Sequence, residues 1–268
     1  MSFIKNSLKK ILPSRVYFFL KETYRYVDSL RYLGNNYECI FCKGQFSIFL
    51  PAGVDVPILK EYQVVGGGYR LNSTCPRCFS SDRERLIYLY LKEIKNSIFS
   101  KNIKLLHVAP ERQLSRFLKA CRNIEYISAD LHSPHVDIKM DIVDIKEANE
   151  TYDVIICNHV LEHIQEDTKA MSELYRVLKK GGIAILQVPI SYQLIYSLED
   201  NSITNPQERK IKFGQKDHVR IYGLDYIERL KKAGFSVIDY DYSKKINPEI
   251  VLKYALLPEE RVFVCSKT

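Results

Sequence analysis

Long apolar runs are missing from this 268-residue chain. Segments such as Val16-Tyr-Phe-Phe-Leu20 and Ala184-Ile-Leu186 fall far short of the roughly 20 residues that span a bilayer, which argues against a transmembrane helix. The N-terminus is basic but has no uninterrupted apolar core and no small-residue cleavage site. That argues against a signal peptide and for a cytoplasmic protein. Internal repeats and low-complexity tracts are also missing. A composition that is 46% hydrophobic and 27% charged argues against long disorder.

The seven cysteines do not suit a disulfide framework, being odd in number and unevenly spread. Cys121, Cys157 and Cys265 stand alone in apolar surroundings. Cys39-Ile-Phe-Cys42 and Cys75-Pro-Arg-Cys78 are two C-x-x-C units about thirty residues apart, a pattern that favours metal binding in a reducing compartment. Each unit can wrap two thiolates onto one ion, and the two together complete a tetrahedron. With all four ligands from protein, Zn2+ at Cys39, Cys42, Cys75 and Cys78 would be structural. The segment between them is too small for its own core, so ligation would supply much of its folding energy. Free buried thiols, a redox pair and an iron–sulfur cluster are the competing readings.

Three regions are expected: a basic amphipathic helical lead over 1–33, a four-cysteine module over 34–82, and one α/β domain over 83–268. The formal charge is +8, and Lys5, Lys9, Lys10, Arg15, Lys21, Arg25 and Arg31 supply much of it. Apolar residues interleave with these at helical spacing, broken at Pro13. Such a segment either rests on an anionic membrane surface, at the inner face of the membrane, or packs as a helix pair on its own protein. In the module, Gln45–Leu50 reads as β-like, with Pro51, Gly53 and Gly66-Gly-Gly68 as breakers.

From residue 83 onward strand-like and helix-like runs alternate. Strands are expected at 103–108, 124–129, 136–140, 152–157, 183–188, 235–240 and 261–265. Helices are expected around Leu86–Ile94, Leu114–Cys121, Ala170–Leu178 and Leu224–Leu230. Lys179-Lys-Gly-Gly182 reads as the helix stop before the fifth strand, with cations in the last turn and glycine beyond it. Alternation of this kind implies right-handed crossovers. The expected fold is a Rossmann-like, seven-stranded, mostly parallel sheet with helices on both faces, preceded by a small zinc-ribbon-like module and N-terminal helices. The last two strands lack a clear helix between them and suit an antiparallel hairpin at a sheet edge.

In open α/β sheets ligands bind beyond the carboxyl ends of the strands, where strand order reverses. The residues there are His107-Val-Ala-Pro-Glu111, Asp130, Asp141 and Asn158-His159. An acid ending the second strand can accept both hydroxyls of a ribose, and one about ten residues later can reach an adenine amino group.

Tyr126-Ile-Ser-Ala-Asp130, Met140-Asp141, Tyr152-Asp-Val-Ile-Ile-Cys-Asn-His-Val-Leu-Glu-His163 and Arg176-Val-Leu-Lys-Lys-Gly-Gly182, in that order and at these separations, resemble class I S-adenosylmethionine-dependent methyltransferases of the type 11-like kind. The likeness runs from about residue 100 to 240. It implies S-adenosylmethionine as cofactor, with Asp130 and Leu131 at the ribose, Asp141 and Ile142 at the adenine edge, and Asn158 and His159 at the methionine end. The family's first motif is usually an acid followed by a glycine-rich turn, and here the glycines are missing. His107, Ala109 and Glu111 stand there instead, so the backbone approaches the cofactor less closely and Pro110 removes a donor. The sequence looks like a variant subgroup with this H-x-A-P-E form, an N-terminal cysteine module and a later D-H-V-R-x-Y-G stretch, here Asp217-His-Val-Arg-Ile-Tyr-Gly223. That likeness lets Glu111 contact the cofactor's amino group or ribose, against a purely structural turn.

Methyl transfer from a sulfonium asks the protein for orientation, desolvation and, for a hydroxyl acceptor, a base. The stretch from Ser191 to Tyr222 is where an acceptor would bind. His218 is the candidate base, with Asp217 or Arg220 orienting it or the substrate, or these residues simply tie the loop down. His163 reads as a cap for the next helix. A hydroxyl or amine of a small molecule or saccharide, including a cell-surface glycan precursor, is the favoured acceptor. An RNA or protein substrate gripped by the zinc module and a non-catalytic scaffold compete with it. The macromolecular reading lacks an Asn-Pro-Pro-aromatic signature, and nucleic acid is the less favoured partner.

Overall fold

The computed structural model describes residues 13–94 and 101–268. Most of the basic lead, Lys5, Lys9 and Lys10 included, therefore lies outside the described residues. Helix α1 (Ser14–Ser29) opens the described chain directly after Pro13. It leaves Phe19, Tyr24, Tyr26 and Val27 at least half exposed, while Glu22 pairs with Arg112 at 2.8 Å and Arg25 lies over the Phe79 ring. No described helix is long and apolar enough to cross a membrane.

Strands β1 (Leu33–Glu38) and β2 (Gln45–Phe46) pair antiparallel, as do β3 (Leu50–Ala52) and β4 (Arg70–Thr74). The single β-like run expected over 45–50 is thus divided between two ribbons. Pro51 lies within β3, on an edge where its missing donor costs nothing. Helix α2 (Pro57–Glu61) separates β3 from β4. Cys39, Cys75, Phe46 and Phe49 are buried in a small cluster that also takes in Ala255 from far along the chain.

Helix α3 (Asp82–Glu93) starts at a capping box: Ser81 Oγ accepts from the Glu84 backbone N–H, and the Glu84 carboxylate accepts from the Ser81 N–H. The main sheet follows. Its strands are β5 (Ile103–Val108), β6 (Ile124–Asp130), β7 (Ile138–Lys139), β8 (Tyr152–Asn158), β9 (Leu178–Gln187), β12 (Ser236–Tyr240) and β13 (Val262–Ser266). They lie in the order β12-β13-β9-β8-β5-β6-β7. The five strands from β5 to β9 are parallel, while β13 runs antiparallel to both β9 and β12. Successive residues of β5 and β8 are buried on opposite faces. Leu106, Ile155 and Cys157 meet helices α5 (Asp167–Val177) and α7 (Asp225–Lys232), and Leu105, Val154 and Ile156 meet α3 and α4 (Arg112–Lys119). That double burial is why these strands are apolar without alternation.

Two expectations change. Residues 179–182 are not a helix stop: α5 ends at Val177 and β9 begins at Leu178, which pairs with Tyr152 across an irregularity. Lys179 there binds Asp153 at 2.8 Å, so tertiary pairing overrides the local cap signal. The link between the last two strands holds α8 (Tyr242–Lys245) and α9 (Pro248–Lys253), the latter capped by Asn247 with Pro248 in its first turn. Of these last two strands β12 lies at one edge of the sheet and β13 lies inside it, while β7 forms the other edge. The stretch from Ser191 to Tyr222 folds as the ribbon β10 (Leu198–Glu199) and β11 (Arg220–Ile221) around α6 (Pro206–Phe213).

Candidate active site

Strand order reverses between β5 and β8, so their carboxyl ends open a crevice. His107, near the end of β5, is fully buried. Its Nε2 lies 2.7 Å from Glu111 Oε2, and its Nδ1 lies 3.0 Å from the Tyr126 hydroxyl. Asn158, ending β8, donates to Glu111 Oε1 at 3.0 Å. The acid of the H-x-A-P-E turn therefore bridges the two strands that flank the reversal. Burial would push the Glu111 carboxyl up, but the hydrogen bond and charge of His107 hold it below the usual range. Ala109 has φ +46° and His159 has φ +54°. Two successive strand tips thus hold non-glycine residues in the left-handed region, and the turn keeps a glycine-like shape without the glycine.

Asp130 closes β6, and its Oδ1 accepts from the backbone N–H groups of His132 and Ser133, both at 2.7 Å. Asp141 Oδ1 accepts from the Val143 N–H at 3.1 Å. Leu131 is exposed and Ile142 is buried. On the β8 side, Asn158 Oδ1 and His159 Nε2 are buried without a hydrogen-bond partner.

His218 arrives from the loop before β11 and is buried. A backbone bond from the Val219 N–H to the Glu162 carbonyl, 2.9 Å, fixes this loop over the turn after β8. Burial and the neighbouring His163 push the His218 imidazole down to about 4. Burial and the cations Arg83 and Arg70 push His159 well below its ordinary value. Both imidazoles are neutral near pH 7. Arg220 does not face the crevice: it donates to Glu199 and to the carbonyls of Leu161, Ile164 and Gln165, tying the loop down. His163 caps no helix; Glu166 holds the N-cap position of α5, and His163 Nδ1 lies 3.3 Å from Asp217 Oδ2.

Three groups at the crevice escaped the sequence analysis as site residues. Glu162 is buried, and burial pushes its carboxyl up to about 8. Glu260 is likewise buried, next to Gly66 and His159: a Cβ added at Gly66 would lie 3.0 Å from Glu260 Oε2 and 3.4 Å from His159 Cε1. Gly66 thus serves a close approach that a breaker signal alone does not reveal. The backbone of Val65 pairs with Ile190 beyond β9, which brings the cysteine-containing region to the crevice. The four thiols themselves converge, with Cys39 Sγ 3.4 Å from Cys78 Sγ and Cys42 Sγ 3.7 Å from Cys75 Sγ. All four Sγ atoms lie within 4.8 Å of one another.

A mostly parallel α/β sheet binds ligands beyond the carboxyl ends of its strands, where these acids stand. Residues 101–240, just over half of the chain, match the family model described as a methyltransferase domain. The chain belongs to that family and is an S-adenosylmethionine-dependent methyltransferase. Among solved structures it is similar to a methyltransferase from Thermotoga maritima, at 16% identity over 69% of this chain and 91% of that one, with a TM-score of 0.42. It is also similar to one from Archaeoglobus fulgidus, at 13% identity over 69% and 94%, with a TM-score of 0.42. No curated protein matches the chain.

Proposed function

We propose that the enzyme methylates a hydroxyl or amine of a small-molecule or saccharide acceptor, and that residues 34–82 form a zinc module beside its catalytic domain over 83–268. The observation that carries the reading is the row of acids and amides at the tips of β5, β6 and β8. Asp130, its carboxylate fixed by two backbone donors, would hold the ribose with Leu131. Asp141 and Ile142 would hold the adenine edge. His107, Ala109 and Glu111 would shape the first turn, and Asn158 and His159 would line the methionine end. The unpartnered Asn158 Oδ1 fits an ammonium group, which has donors to spare. Bound there, S-adenosylmethionine supplies a methyl group already activated on a sulfonium. The chain then has to orient the acceptor, exclude water and receive a proton. His218, neutral and held over the turn after β8, would activate the acceptor.

Four convergent thiols at these distances suit Zn2+, which would be structural because no ligand position is left open. Such a site belongs to a reducing compartment, in keeping with a cytoplasmic enzyme, and α1 with its exposed aromatic residues would allow contact with the inner membrane face. Calorimetry with S-adenosylhomocysteine tests the cofactor site. Wild type should bind, and Asp130→Ala should lose at least about tenfold in affinity, the equivalent of ~1.4 kcal/mol, with an unchanged circular dichroism spectrum. Equal binding by both proteins would remove the ribose assignment.

A further inference from the structure

Glu162 has no task in the reading above, yet its carboxylate is buried with Oε2 left without a hydrogen-bond partner. A buried carboxyl oxygen left without a partner is costly, and such groups are normally hydrogen-bonded, paired or bound to a cation. Imidazoles stand closest to it, with the charged groups Arg83, Asp217 and Arg220 further out. His159 Nδ1 lies 3.3 Å from Glu162 Oε1. Ligand atoms of Glu162, His163 and His218 all lie within 4.8 Å of one another. The rings of His163 and His218 meet edge to face, with centroids 4.7 Å apart. Two histidines and one carboxyl group, contributed by a turn and a loop that are themselves hydrogen-bonded together, are a donor set able to hold a metal ion.

We propose that Glu162, His163 and His218 bind a divalent first-row transition ion, and that this ion's open positions take two neighbouring oxygens of the methyl acceptor. Imidazole and carboxylate donors suit Mn2+, Fe2+, Co2+ and Zn2+. Three protein ligands leave coordination positions free, as in catalytic sites and unlike the four-cysteine cluster. The surroundings support ligation. His163 Nδ1 faces both the Asp217 carboxylate and its carbonyl at 3.3 Å, which leaves Nε2 for the ion and orients the ring. Ligating histidines characteristically have such a partner on the other nitrogen. Glu162 and His163 lie on the turn Leu161–His163, shortly beyond the end of β8, and so beside Asn158 and His159, proposed above to line the methionine end.

The acceptor half of this inference rests on the small-molecule reading above, and it narrows that reading to vicinal hydroxyls. An oxygen held by a divalent ion gives up its proton more readily. The acceptor oxygen then donates a lone pair to the methyl carbon, the carbon–sulfur pair returns to sulfur, and the hydroxyl proton passes to solvent. His218 thus activates the acceptor by holding the ion rather than by taking the proton itself.

Mn2+ alone is the probe, because thiolate sites hold it poorly and its paramagnetic resonance spectrum reports oxygen and nitrogen ligands. The full chain should bind one Mn2+ tightly. Glu162→Gln and His218→Ala should each weaken it by roughly 10–100-fold, with the sheet retained by circular dichroism and unchanged binding of S-adenosylhomocysteine. Catechol, which presents two adjacent oxygens, should alter the spectrum of the bound ion where phenol does not. Absence of tight Mn2+ binding, or equal affinity in wild type and both variants, overturns the site. A spectrum indifferent to catechol overturns the acceptor half. Neither result touches the cofactor site, whose own test is the Asp130→Ala comparison.

Discussion

Glu260 shows how single residues at the crevice trade stability for position. It is buried, its Oε2 has no hydrogen-bond partner, and Gly66 leaves it room. Burial and the neighbouring Asp82 and Glu259 push its carboxyl up to about 7, against the opposing pull of Arg83 and Arg70. Between the ordinary value of 4.5 and about 7 the folded protein therefore keeps a proton that the unfolded chain releases. This contribution is full below pH 4.5 and is lost as pH rises through 7. It amounts to at most ~3 kcal/mol. Urea unfolding of wild type and Glu260→Gln across this range should give a stability difference that shifts in favour of the glutamine variant as pH rises. The difference is the informative quantity, because His159 and His218, held neutral in the fold, contribute the opposite slope at the same pH. A difference independent of pH would mean that Glu260 is ionised in the fold. Ala109 and His159 add to the burden with their left-handed backbones, a conformation that costs of order 1–2 kcal/mol per non-glycine residue.

Among the elements, α3 joins the cysteine cluster to the sheet, and Arg85 is its fastener. Its guanidinium is fully buried and donates to the carbonyls of Ser73 and Ser80 on one side and of Tyr254 and Ala255 on the other. The ring of Phe49 lies 4.7 Å away. Arg85→Ala would leave four carbonyls without this donor, at about 1–3 kcal/mol for each one that water cannot reach. A loss of at least ~3 kcal/mol in urea unfolding is expected, and a loss below ~1 kcal/mol would show that water replaces the guanidinium. Nothing in the local sequence singles out Arg85, since its partners lie 5, 12, 169 and 170 residues away. Local patterns did reveal β5, β6 and β8, whose apolar runs are bounded by turns, and the cysteine pairs, whose spacing is the signal. The start of β9 stayed hidden because its pairing with β8 outweighs the helix-stop signal of 179–182. The crevice was legible as a row of strand tips, at Asp130 and Asn158. The Glu162–His218 contact was not, because a loop closes it across 56 residues, and Glu162 alone looks like part of a turn.

On the scale of the whole molecule, two structures share the crevice. On the reading proposed above, the sheet would supply the cofactor side through Asp130, Asp141 and Asn158, while the segment through Val65 and Gly66, paired with Ile190 and packed against Glu260, would border the acceptor side. That segment lies between the two cysteine pairs, so metal ligation by the thiols would hold it in place. The two functions should therefore separate when the thiols are removed. Cys75→Ser combined with Cys78→Ser should release zinc and lower the melting temperature, because binding energy confined to the folded state is lost. Affinity for S-adenosylhomocysteine should change by less than about threefold, under ~0.7 kcal/mol, because the acids that hold the nucleoside stand on β6 and in the segment after β7. Methyl transfer should fall through a raised acceptor KM. Asp130→Ala should do the reverse, weakening the cofactor while leaving the melting temperature and zinc content alone. If the double cysteine variant keeps its sheet by circular dichroism and yet loses the cofactor, the cysteine module is part of the nucleoside site and the two sides of the crevice are not separable.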